Sequence, residues 1–112
     1  MANSAPHDRD RLRAISPQLI DYSTKVLYGE VWEDPALSKR DRSLATVAAL
    51  IGASQPQFLK AHMARALGLG VTKEELGALI THLAFYVGWP AANAAGLIAL
   101  EVLEDLSKPT QP

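Results

Sequence analysis

Apolar residues along the chain recur every three or four positions, the spacing that gathers side chains on one face of a helix. Ser16-Pro17 reads as an N-cap followed by proline at the first helical position. The helix it opens carries Leu19, Ile20, Tyr22, Val26 and Leu27, and Gly29 is expected to end it. The stretch from Glu30 to Leu37 reads as a loop around Pro35, anchored by Trp32. Ser38 opens a second helix, with Asp41 three residues on as a shorter-armed relative of the capping box and a stripe of Leu44, Val47, Ala48 and Ile51. After a turn over residues 52–55, Pro56 starts a third helix that closes at Gly68 or Gly70. Thr72-Lys-Glu-Glu75 is a full capping box, and the helix behind it aligns Leu76, Leu79, Ile80, Leu83 and Val87 before Gly88. A fifth helix runs from Pro90 through an alanine-rich start to about Leu106. No segment alternates with period two, so no strand is predicted. The expected fold is all-α, a single-domain bundle of about five helices over residues 1–112, with a core at about 17–106 and flexible ends at 1–10 and 107–112.

The fourth helix carries apolar or aromatic residues on two sides, because Ala78, Phe85 and Tyr86 stand with His82 away from the main stripe. Such a helix is central to its domain or is covered by a second subunit. The chain has 112 residues, 48% of them hydrophobic, and Ala91, Ala92, Ala94 and Ala95 would let another backbone approach closely. A homo-oligomer is therefore expected. The formal net charge is −1, and the basic cluster Lys39-Arg40-Asp41-Arg42 is interrupted by an acid, which argues against a nucleic-acid surface. With no cysteine there is no disulfide framework, thiol catalysis or CxxC metal site. The N-terminal residues have no apolar signal region and no apolar run approaches about 18 residues, so no membrane span is expected and a cytoplasmic location is the default.

Candidate chemistry centres on His62 and His82. His62 shares a face with Leu59, Met63, Ala66 and Leu69, a side expected to be buried, and His82 sits with Ala78, Phe85 and Tyr86. Imidazole titrates near neutrality, so two of them in apolar surroundings invite proton transfer. Against this stands the plainer role of a hydrogen-bonded core histidine, the commoner fate of a lone histidine on an apolar face. Neither belongs to an HxxxH or HExxH pair, and His7 lies in the N-terminal tail, so no metal site is expected. Ser43 and Ser54 lack any GxSxG context. Arg40 lines up with Leu44 and Ile51, whereas Arg42 points with Thr46 and Ala49. An arginine among small residues suits a carboxylate through its bidentate fork, and a surface or intersubunit ion pair suits the position equally well.

Three separated motifs occur in order: GxxWxxPxLxxxxRSL from Gly29, HxxxALxxGxTxEE from His62 and HxxxYxGxPAAxxA from His82. Together, from about Tyr28 to Leu103, they resemble the carboxymuconolactone decarboxylase family. The resemblance implies an all-helical homo-oligomer, a trimer or hexamer, acting on a small carboxylated lactone in aromatic catabolism without a cofactor. A related branch, similar to alkyl hydroperoxidase D, carries a CxxC pair where this chain has Gln55 and Phe58, so thiol peroxidase chemistry is excluded. In 4-carboxymuconolactone the leaving carboxylate sits on a carbon conjugated to the lactone carbonyl. Loss of carbon dioxide leaves a dienolate, and the protein need only bind the dianion, stabilise the oxyanion and deliver one proton to carbon. The resemblance matches Arg42 to a position suited to carboxylate binding, and of the two histidines His62 is taken as the expected proton donor. His82 and Tyr86 would then stabilise the oxyanion or orient groups around it, and Trp32 and Trp89 would shape the pocket.

The chain departs from that pattern at two places. Decarboxylases of this kind commonly read EEIxEVxxH before the second histidine, and here Ala78 replaces the carboxylate one turn before His82. Trp89 stands where smaller residues are frequent. Two classes stay open: a cofactor-independent lyase or isomerase, and a non-catalytic oligomer that binds a small molecule or protein. The paired histidines and Arg42 favour the first; Ala78 favours the second.

Overall fold

The computed structural model of the chain describes residues 8–108, so His7 and the last four residues lie outside the described residues. The regular secondary structure of the described residues is all helical, with no strand among them, as the 3.6-residue periodicity predicts. They fall into two compact units that meet in sequence between Ser38 and Lys39.

The first unit contains α1 (Asp8–Arg11), a 3₁₀ turn (Leu12–Ala14) and α2 (Pro17–Tyr22), which continues as a π-helical stretch, Ser23–Val31. Residues 8–10, expected to be loose, are thus part of a short helix. Ser16 occupies the N-cap of α2 without a side-chain capping bond, and Pro17 takes the first turn. Gly29 does not end the helix as its type suggests. The wider π turn brings the Thr24 carbonyl to 3.2 Å from where a Cβ of Gly29 would sit, so glycine is there for close approach rather than as a stop. The stretch ends when the Trp32 N–H bonds back to the Leu27 carbonyl at 2.9 Å. Ile20 and Trp32 are the buried residues of this unit. Arg9 ties it together by donating to the Ser23 and Thr24 hydroxyls and lying 5.9 Å from the Tyr28 ring centroid.

The second unit is built from α3 (Lys39–Gly52), α4 (Pro56–Gly68), α5 (Lys73–Val87) and α6 (Trp89–Ser107). Val47 and Ile51 of α3, Leu59, Met63 and Ala66 of α4, Leu76 of α5, and Ala95, Ala99 and Val102 of α6 meet in one core. Ser54 turns α3 into α4 with a left-handed φ of 55°. α4 closes in a Schellman turn: Gly70, at φ 102°, donates to the Leu67 carbonyl, and Val71 donates to Ala66 at 3.0 Å while its side chain is buried.

The short link between α4 and α5 suggests an antiparallel neighbouring pair, and the structure differs. The main packed pairs are α3 with α4, α5 with α6, and α4 with α6. The reason lies in α6, whose buried face is Ala92, Ala95, Ala99 and Val102. These short side chains let one long helix lie close to both neighbours. Two of the alanines read from sequence as a surface for another subunit are therefore used inside the unit.

The predicted capping box forms, with Glu75 N–H donating to Thr72 Oγ1 at 3.0 Å and Thr72 N–H donating to Glu75 Oε1 at 2.9 Å. The same carboxylate accepts from Arg40 of α3, which also pairs with Asp41 beside it on its own helix. The Thr72 N–H first, and the Arg40 guanidinium after it, hold the Glu75 carboxyl below its ordinary value of 4.5. A depressed carboxylate stabilises the fold above its unfolded-state pKa, and that contribution disappears as pH falls through the folded-state value. Glu75→Gln is accordingly expected to lower the urea midpoint at pH 7, and the difference from the parent should shrink as pH falls well below 4.5. An equal difference at both ends of that titration would show that charge at Glu75 is immaterial.

Candidate active site

His62 stands on α4 between Leu59 and Ala66, one turn away on either side and both buried, and beside buried Met63. Its ring is half-buried, and its Nδ1 is sealed from solvent with no hydrogen-bond partner. Burial pushes the imidazole below its ordinary value of 6.5, and the Arg65 guanidinium on the next turn pushes it further in the same direction. Both effects favour the neutral ring. A histidine kept only for packing ordinarily has its buried nitrogen paired. This one does not.

His82 contradicts the expectation of a desolvated imidazole, because in the single chain it is exposed. α5 turns Leu76 and Ala84 inward, and His82 lies on the other side of the helix with Ala78, Phe85 and Tyr86, all exposed. What His82 does have is Tyr86 one turn on, with ring centroids 4.8 Å apart at 39°. Phe85 and Trp89 make a second, edge-to-face pair at 5.0 Å. Tyr86 is 75% exposed and Trp89 54% exposed, so the aromatic residues form an open face. No hydrogen bond joins the two imidazoles among the described residues.

Arg42 is half-buried on α3, and its backbone carbonyl takes the Thr46 hydroxyl at 2.8 Å. Beside it Ser43 is completely buried with its Oγ unpaired, a second orphaned polar atom that the motif reading passed over. Trp32 belongs to the first unit, where it is buried with its ring 5.8 Å from that of Tyr28. No cluster of three or more His, Asp or Glu side chains that could hold a metal occurs among the described residues. Nor is any helix among them long and apolar enough to cross a membrane.

Between α5 and α6 lies an open cleft of about 140 Å³, lined by Ile80, Thr81, Ala84, Trp89, Ala92 and Asn93. Of the site residues read from sequence, only Trp89 lines it. Thr81 and Asn93 were missed. Asn93 was visible as the one polar residue within the run PAANAA. Thr81 carried no signal, since a threonine on an amphipathic helix is ordinary.

The sequence profile of the carboxymuconolactone decarboxylase family matches residues 17–101, and the chain belongs to that family. It is 37% identical over 97 residues to the 4-carboxymuconolactone decarboxylase of Acinetobacter baylyi, covering 87% of this chain and 72% of that protein. Over 83 residues it is 31% identical to the nitrosuccinic acid decarboxylase of Metarhizium robertsii, covering 74% of this chain and 58% of that relative. Both relatives are decarboxylases, which agrees with a carboxy-lyase of this family.

Proposed function

We propose that the protein removes carbon dioxide from a small carboxylated lactone of the 4-carboxymuconolactone type, without a cofactor and with His62 as the proton donor. The observation that carries this reading is the buried, unpaired Nδ1 of His62, on a half-buried ring within the family's second motif. Arg42 holds a substrate carboxylate through its guanidinium fork. The bond from the ring carbon to the departing carboxylate breaks, and its electron pair moves through the double bond onto the lactone carbonyl oxygen. The two carboxylates of the bound dianion raise the pKa of the neutral His62, so the ring takes up a proton as substrate arrives. It then delivers that proton to the carbon next to the carbonyl, leaving the enol-lactone. His82 and Tyr86, a tilted ring pair, stabilise the oxyanion or orient the substrate. The open aromatic face of α5 supports assembly of several copies, a trimer or hexamer acting in the cytoplasm.

The second relative makes nitrosuccinic acid the competing substrate. It too loses a carboxylate from a carbon beside an electron-withdrawing group. The test is to incubate the purified protein with each compound and follow carbon dioxide. Release from 4-carboxymuconolactone at a rate at least tenfold above that from nitrosuccinic acid is the expected outcome. Release from neither would remove both substrates and leave the family membership standing.

A further inference from the structure

Two buried side-chain polar atoms among the described residues have no hydrogen-bond partner: Nδ1 of His62 and Oγ of Ser43. The mechanism above uses the first and leaves the second idle. A hydroxyl inside a helix commonly returns to a carbonyl one turn back, as that of Thr46 does to Arg42. Ser43, at 0% exposure, makes no such bond.

The two atoms stand on helices that pack against each other. α3 turns Ser43, Val47 and Ile51 inward, and Val47 and Ile51 share one core with Leu59, Met63 and Ala66, the residues around His62. Only residues 53–55 join the two helices, so they run antiparallel. Ser43 lies nine residues before the end of α3, and His62 lies six residues after the start of α4. At roughly 1.5 Å per residue their levels differ by about one turn. A serine hydroxyl swings between rotamers about a single bond, and one bridging water extends its reach.

An imidazolium carries hydrogen on both nitrogens. Proton uptake by His62 therefore creates a buried N–H that needs an acceptor. No carboxylate acts on the ring, and Arg65 opposes its charge. On the helices around it, Arg40 takes up Asp41 and Glu75, and Lys60 takes up Glu101 and Asp105. The Ser43 Oγ is the buried acceptor left over.

We propose that Ser43 is the positioning residue of His62: as the ring takes up its proton, the Ser43 Oγ accepts from Nδ1–H, directly or through one water, and Nε2 is left to pass its proton to the substrate carbon. The proposal rests on His62 as proton donor and deepens that reading by naming what holds the charged ring. A neutral hydroxyl suits a ring that returns to its neutral form between turnovers, whereas a carboxylate there would keep it charged. Hydrogen bonds of this kind are often long in the free protein and tighten in the complex.

The test is the titration of His62 in Ser43→Ala, followed by NMR of the imidazole in the full-length protein without substrate, with the signal assigned by its loss in His62→Gln. A hydrogen bond to a charged group is lost, so the His62 pKa is expected to fall by at least about half a unit, roughly threefold in proton affinity. With 4-carboxymuconolactone, kcat should fall roughly tenfold and KM should change less than about twofold. The melting midpoint should stay level or rise, because the resting hydroxyl holds no bond. An unchanged His62 titration would overturn the assignment, as would a lowered midpoint with titration and kcat per folded molecule unmoved. A lowered pKa in a protein that releases no carbon dioxide would keep the Ser43 assignment and remove the lactone substrate.

Discussion

His62→Ala is expected to lower turnover of 4-carboxymuconolactone by at least about 100-fold while leaving the fold and its melting midpoint nearly unchanged. A positioned general acid contributes roughly 10²–10⁴ in rate. Stability should survive because the ring is only half-buried and its Nδ1 holds no hydrogen bond that the mutation could break. His62→Gln, which keeps much of the side-chain length, should be as inactive as alanine. Steady-state kinetics beside a thermal melt reads both quantities. A variant that retains turnover, or one that loses turnover only because it unfolds, would return His62 to a packing role.

Leu76→Ala should have the opposite signature. Leu76 is 1% exposed and is the residue by which the first turn of α5 reaches the shared core, directly after the capping box. Truncating a fully buried leucine loses transfer free energy and leaves a cavity, about 3 kcal/mol together, with a range of roughly 2–5. In a domain of this size that lowers the melting midpoint by roughly 10–20 °C. Turnover per folded molecule, measured well below that midpoint, should stay within about threefold of the parent, since Leu76 is a core residue that carries no polar group and does not line the cleft. A midpoint shift of only a degree or two would mean that α5 is held by its cap and the Arg40 pair rather than by burial.

Helix identities and most boundaries follow from local chemistry, and local chemistry is what a sequence displays. The Thr72 and Glu75 capping box and the Gly70 turn are both settled within a few residues of chain. Gly29 misled because a π stretch uses glycine for close approach, and nothing in the residue type distinguishes that from a stop. Helix pairing misled for a different reason. A short link constrains distance, but the choice of neighbour falls to shape, and the small face of α6 decides it. His62 was legible because Leu59, Met63 and Ala66 fix its face. His82 was not, since apolar neighbours on the outer side of α5 look the same in a sequence whether that side is open or covered.

The most direct test of His62 as proton donor is the pH dependence of kcat/KM for 4-carboxymuconolactone, which reports the free protein. Burial and Arg65 place the imidazole below 6.5, so the protonated donor is present below that pKa and is lost as pH rises through it. Substrate carboxylates ionise near about 3.5, which leaves a window between the two. The expected profile has its maximum in that window and falls tenfold per unit above an inflection lower than 6.5. A profile that is flat from about pH 5 to 8, or one whose inflection is unchanged in residual His62→Gln activity, would contradict the account.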